Sequence, residues 1–137
     1  MRDVHSIYVH HSASSRDDTT RDEINQWHRD RGWSGIGYHY VIEGDGSIVE
    51  GRPLWKAGAH VKGNNSKTVG ICLTGNFEIE QPSREQLESL WQLLEGTMAN
   101  FNLQRHNVFG HKEWHQANTL WPGSNLLHYI EEWRKRG

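Results

Sequence analysis

The chain has 137 residues, with 15 basic and 17 acidic side chains and a formal net charge of −2 when histidines are neutral. That length suits one domain, residues 1–137, with a sizeable core. The mixed, near-balanced charge excludes a nucleic-acid surface built on bulk basicity. No apolar run approaches 18 residues, so no membrane-spanning helix is expected. Cys72 is the only cysteine, which excludes an internal disulfide and a thiolate zinc cluster. The opening stretch "MRDVHSIYVHHS" reads as a short β-type run and not as a secretory signal, so synthesis in the cytoplasm without a signal peptide is expected. Ten histidines and seven tryptophans stand out. Histidine is the commonest metal ligand and a proton shuttle. At least half of these histidines are nevertheless expected on the surface or satisfied in the core.

In chain order, "SIYVHH" is β-branched and aromatic, hence a strand. "DDTTRDEINQWHRDRGW" reads as a helix capped by Thr19 or Thr20, with Asp22 and Glu23 in its first turn and Gly32 stopping it. Ile24, Trp27 and His28 share one face at i, i+3, i+4 spacing. "GYHYVIEGDGSIVEGR" is a hairpin around Gly-Asp-Gly. The loop from Arg52 to Lys67 is rich in Gly, Asn and Lys and long enough to border a cleft. "KTVGICLTG" is a continuous apolar run, expected as a buried central strand with Cys72 in the core. "PSREQLESLWQLLEGTMANFN" is a helix with Ser83 and Gln86 as a capping box. Its apolar stripe is Leu87, Leu90, Trp91, Leu94, Met98 and Phe101. A further strand is expected near "NVFGH". A last helix spans "SNLLHYIEEWRKR", with Leu127, Ile130 and Trp133 or their neighbours inward and basic residues at its C-terminal end. Strands mixed with helices around one buried strand make an α/β domain.

The chemistry-bearing residues sit at strand ends. His10 closes the first strand in "VHHS". Successive strand residues face opposite sides, so His10 and His11 cannot both point into one site while the strand stays regular. His111 follows "NVFG" at a second strand end. Two imidazoles on adjacent strand ends can begin a zinc site, which needs three protein ligands and an open position for catalysis. Tyr38, in "GYHYVI", is a phenol that could orient a water or stabilise an oxyanion. Alternation turns His39 away from Tyr38, toward a structural role. Trp27, His28 and Trp33 read as packing residues. Spacing alone does not select the metal ligands.

The stretches "IYVHHSAS", "RDEINQWHRDRGW", "IGYHYVIEGDGSIVEGR", "AGAHVKGNNSKTVGICLTGNF" and "VFGHKEW…PG" together resemble the zinc-dependent N-acetylmuramoyl-L-alanine amidases of the phage-lysozyme and peptidoglycan-recognition-protein superfamily. They follow the family order and cover nearly the whole chain. The resemblance implies a central mixed β-sheet flanked by helices, with a groove holding one zinc ion. It implies cleavage of the amide between the lactyl group of N-acetylmuramic acid and L-alanine. His10 and His111 match the first two zinc ligands, Tyr38 matches the catalytic tyrosine, and His60 matches a histidine on the groove wall. Thr119 matches a position two residues before the third ligand, which is lysine in phage-type enzymes and threonine in many recognition-protein amidases.

The third ligand should be a cysteine before Pro-Gly, and here that residue is Trp121. An indole N–H donates and offers no lone pair to a metal. Three readings follow. Zinc binds through His10, His111 and a substitute, His115 or His11; or the loop shifts and water completes a weak site; or the site is metal-free and Trp121 fills the pocket as a stacking surface. Trp121 would then line the groove as a ligand-binding residue beside His60. Two functions stay open. One is a peptidoglycan amidase, of endolysin or autolysin type, acting on the cell wall once released from a phage-infected or bacterial cell. The other is a catalytically silent protein that binds muropeptide or another small ligand in the same groove. The expected partner is peptidoglycan or muropeptide, with no nucleic acid and no membrane, and the chain is expected to be a monomer.

Overall fold

The structure is a computed structural model and describes residues 2–114 and 116–137. Its strands are β1 (Ser6–His11), β2 (Tyr40–Ile42), β3 (Ile48–Glu50), β4 (Thr68–Leu73) and β5 (Val108–Gly110). Its α-helices are α1 (Arg21–Asp30), α2 (Arg84–Phe101) and α3 (Ser124–Arg136). The sheet order is β3-β2-β4-β1-β5. Strands β2 and β3 pair antiparallel; β4 runs parallel to both β1 and β2, and β5 parallel to β1. The expected mixed sheet flanked by helices is present. The apolar run "TVGICL" is its middle strand, fully buried along its length, as a strand covered on both faces requires.

Local signals set the helix starts. Thr20 caps α1 and forms a reciprocal capping box with Glu23, and Ser83 does the same for α2 with Gln86. Capping alone would leave Gln86 at the surface, yet it is fully buried. Its Nε2 donates to the carbonyl of Thr74 at 2.8 Å and that of Ile42 at 3.3 Å, while its Oε1 accepts from Ser83 N–H. One side chain therefore ties α2 to the ends of β2 and β4. In α3 the inward stripe is Leu126, Ile130 and Trp133, with Leu127 half-buried. Ile130 and Trp133 face inward as expected, and Leu126 takes the place of its neighbour Leu127, because i, i+4, i+7 from Leu126 forms one continuous ridge.

The two sheet faces differ in chemistry. Ile7 and Val9 of β1 join Val69, Ile71 and Leu73 of β4 in the main core, with Leu90, Leu94, Leu126 and Ile130 from α2 and α3. The opposite face carries a smaller cluster of Ile24, Ile36, Tyr38, Val41 and Cys72, against which Trp121 packs. Strand alternation puts Tyr8 and His10 on this second face. The large core thus supports the sheet from behind, and the lightly covered face is left to carry a site.

Candidate functional site

Five aromatic side chains converge at the end of β1. His10 is fully buried, with ring centroids 4.7 Å from His111, 5.0 Å from Tyr38, 5.0 Å from His60 and 6.5 Å from Trp121. The His111 and Trp121 rings are also 6.5 Å apart. The four partners of His10 come from separate stretches of the chain, and local contacts fix them. His111 begins a short turn after β5, where Glu113 accepts the Gly110 N–H at 2.7 Å and pairs through both carboxylate oxygens with Arg134 of α3 at 3.0 Å. His60 sits in the long loop, where Asn65 Oδ1 accepts the N–H groups of His60 and Val61 at 2.9 and 2.8 Å. Trp121 is held by its own backbone. Its carbonyl accepts from Lys112 N–H at 2.7 Å, and its N–H donates to Thr119 Oγ1 at 3.2 Å.

Above this cluster lies a groove of about 600 Å³, in the range of small-molecule sites. Tyr38, His60, His111, Thr119 and Trp121 line it, as do Trp33, Trp114, Arg31 and Lys62. The Arg52–Lys67 loop borders it through Ala59, His60, Lys62 and Asn65. Trp114 Nε1 donates to the Lys62 carbonyl at 3.1 Å, tying the loop after β5 to the long loop. Arg31, Lys62, Asn65 and Trp114 do not stand out in the sequence. The one usable signal is an asparagine five residues after a groove histidine in a Gly-rich loop, where its amide oxygen can satisfy backbone donors. The described lining residues include two cations and no carboxylate.

Three other histidines are anchored by the backbone. His11 accepts Phe77 N–H at Nδ1, His28 accepts Gly37 N–H and His39 accepts Gly70 N–H, at 3.0, 2.8 and 3.0 Å. Each must therefore be neutral with its proton on Nε2. His39 Nε2 donates to the Lys56 carbonyl at 2.8 Å, so the nearby Arg2 guanidinium is a neighbour and not a hydrogen-bond partner of that nitrogen. Burial pushes all three histidines down to about 4. His11 turns away from His10 by strand alternation, and its ring stands 5.2 Å from Trp121 at the strand end. Its Nδ1 is committed to Phe77, which removes that nitrogen as a substitute ligand. His115 lies outside the described residues.

In the cluster itself, burial is the main cause that holds His10 well below the usual histidine range, reinforced by His60 and His111. His60 is lowered well below that range, first by burial and then by neighbouring His39 and His111 and the Arg2 and Arg52 guanidiniums. Burial also lowers His111. The Tyr38 phenol is pushed well above its usual value, first by burial and then by the Cys72 thiol. All four are neutral at pH 7. Tyr38 is a hydrogen-bond donor there and not a base.

The resemblance to amidases implies a zinc ion, and the donors can be judged directly. His10 Nδ1 and His111 Nδ1 are buried and have no hydrogen-bond partner among the described residues. Buried nitrogens are rarely left in that state, and two neutral imidazoles side by side suit a borderline-soft dication. The fit ends there. No set of three His, Cys, Asp or Glu among the described residues is arranged to hold a metal, and the residue before Pro-Gly, where the resemblance implies a cysteine, is Trp121. The described residues supply two neutral donors where a full site has two and an anion.

Comparison with known proteins places the chain in a family. The family model described as N-acetylmuramoyl-L-alanine amidase matches residues 1–124. An endolysin of Klebsiella phage KP32 is 32% identical over 136 residues, covering 87% of this chain and 90% of that protein. The solved N-acetylmuramoyl-L-alanine amidase LysC from Clostridium intestinale URNW superposes with a TM-score of 0.86 at 34% identity, covering 98% of this chain and 87% of that one. A point mutant of Drosophila PGRP-LB, solved in complex with tracheal cytotoxin, also reaches 0.86, at 27% identity, covering 97% and 83%. With the family match, the endolysin relative and the shared fold in agreement, the chain belongs to the N-acetylmuramoyl-L-alanine amidase family.

Proposed function

We propose that the groove binds peptidoglycan at the junction of the muramyl lactyl group and the peptide stem, and that the chain hydrolyses the lactyl–L-alanine amide through an atypical metal site. The observation that carries this is the pair of buried, unpartnered Nδ1 atoms of His10 and His111, among the described residues, beside the neutral phenol of Tyr38. The endolysin relative and the relative solved with tracheal cytotoxin, a muropeptide, support the same ligand class. Arg31 and Lys62 on the groove suit the carboxylates of a peptide stem. Trp33 and Trp121 give flat apolar faces against which a sugar ring packs.

His10 and His111 are the residues that would hold zinc. Bound there, zinc supplies Lewis acidity toward the lactyl carbonyl and a lowered pKa for water. The chain's own contribution is positioning and hydrogen bonding. Tyr38 O–H donates to the oxyanion that develops on the scissile carbonyl. The Thr119 hydroxyl accepts from Trp121 N–H and keeps its own proton to donate. It cannot supply the positive charge of a lysine. The setting is the cell wall, reached by a phage or bacterial protein that works as a monomer and as one domain over residues 1–137.

A second reading is favoured by one residue. Trp121 brings no donor and fills space beside both histidines, which suits a protein that binds muropeptide without cutting it. One assay separates the two. The purified chain is incubated with cell-wall sacculi and with a soluble muropeptide, with and without added zinc. Stem peptides with a free L-alanine amino group are sought by mass spectrometry, and binding is followed by calorimetry. Released stem peptides establish the amidase. Binding without cleavage at every zinc level establishes the silent reading. Neither binding nor cleavage rules out peptidoglycan as the ligand.

A further inference from the structure

His60 is boxed in by two glycines. A Cβ on Gly70, inside β4, would lie 2.7 Å from Cγ and Nδ1 of His60, and one on Gly58 would lie 2.6 Å from its Cδ2. A glycine within a strand weakens it relative to alanine, and it marks a place where another group must approach the backbone closely. Here that group is the imidazole of His60. The ring is thereby set with one nitrogen toward His10 and the other toward Thr68.

The hydrogen bonds around it have a fixed direction. Thr68 Oγ1 lies 2.9 Å from the Asn64 carbonyl and 3.1 Å from His60 Nε2. A hydroxyl has one proton, and a carbonyl can only accept. The Thr68 proton therefore goes to Asn64, and the Thr68 oxygen accepts from His60 Nε2–H. Neutral His60 then carries its lone pair on Nδ1, which is 2.9 Å from His10 Nε2. That contact needs a proton from His10. His10 is left with a bare Nδ1, the same buried atom that has no partner among the described residues.

We infer that Thr68, acting through His60, is a positioning residue that locks His10 in the Nε2–H tautomer and keeps its Nδ1 lone pair free beside His111. A partner on the far nitrogen is the usual way a ligating histidine is oriented and made a better donor. This deepens the amidase reading and rests on it only for what the lone pair is used for. The tautomer is a property of the protein without metal or substrate, so its test stands apart from any activity.

The test is nitrogen-detected NMR of imidazole-labelled, metal-free protein at pH 7. His10 and His60 are both expected with a protonated Nε2 and an unprotonated Nδ1. Thr68→Val removes the acceptor while keeping the side-chain shape, and should move both rings to mixed tautomers. Thr68→Ser restores the hydroxyl and should restore the wild-type pattern. Zinc titrated alone into Thr68→Val should bind about 10–100-fold more weakly than into the wild-type chain. A proton on His10 Nδ1 in the wild-type protein overturns the proposal, and that measurement needs no variant to fold. So does a Thr68→Val protein with unchanged tautomers and unchanged zinc affinity.

Discussion

Replacing Trp121 with cysteine converts two histidine donors into the set that the family resemblance implies. Structural zinc sites with four protein ligands bind with apparent free energies of about 10–16 kcal/mol, or about 2.5–4 kcal/mol per ligand. A thiolate added beside His10 and His111 should therefore tighten zinc by roughly 3 kcal/mol, on the order of 10²-fold. The substitution also has a cost. The indole packs on the cluster of Ile24, Ile36, Tyr38, Val41 and Cys72 and is half-buried. Emptying a fully buried tryptophan position costs about 3–5 kcal/mol, so about 2 kcal/mol is expected here. Zinc-free Trp121→Cys should melt below the wild-type protein, and zinc should recover most of the difference. The assay is competition against a chromophoric chelator, paired with thermal melts with and without zinc. Stoichiometric zinc that survives dialysis of the unaltered chain would refute the reasoning, because it requires a third donor other than the residue at 121. A Trp121→Cys protein that binds zinc no more tightly than wild type would refute it equally.

If the chain hydrolyses peptidoglycan, Tyr38→Phe should lower the rate by about 10²–10³-fold, the usual cost of one oxyanion donor; a wild-type rate with an unchanged fold removes Tyr38 from the mechanism. Trp121→Ala should weaken calorimetric binding of a soluble muropeptide by more than it lowers the melting temperature, and a large loss of stability with unchanged affinity would show that the indole only packs. Stability should fall as pH drops below the ordinary histidine range of about 6.5, because His11, His28 and His39 are held down to about 4 in the folded chain. Between those values the unfolded chain binds more protons, so the folded state is penalised progressively. His39→Gln should flatten that slope in urea melts from about pH 7 to about pH 4.5, and an unchanged slope would mean that His39 takes no part in it.

The fold is legible because its signals are local and repeated. The Thr20 and Ser83 caps each act within three residues, and the apolar run of β4 identifies a central strand without reference to anything distant. Gln86 shows the limit of such reading. Its capping spacing is visible, but its second role depends on carbonyls 12 and 44 residues away. The first turn of α3 is ambiguous for a related reason: Leu126 and Leu127 are equally apolar, and only the packing of the ridge against the core decides between them.

The site is harder to read because its contacts are almost all long-range. His10 meets His60 across 50 residues, and no spacing rule links a strand histidine to a loop histidine. Gly70 shows what such a rule misses. Within "TVGICL" it looks like a weak point in a strand, whereas a Cβ there would strike the ring that holds His10. The same logic governs Trp121. Many positions state the fold, so one substitution cannot contradict it, but the chemistry depends on a few atoms and is sensitive to one. Trp121 packs on the cluster beside the groove and lines the groove itself, and unlike the cysteine that the resemblance implies it offers no lone pair to a metal. Zinc affinity measured before and after Trp121→Cys therefore reports on the donor chemistry at 121 separately from the fold that holds the position.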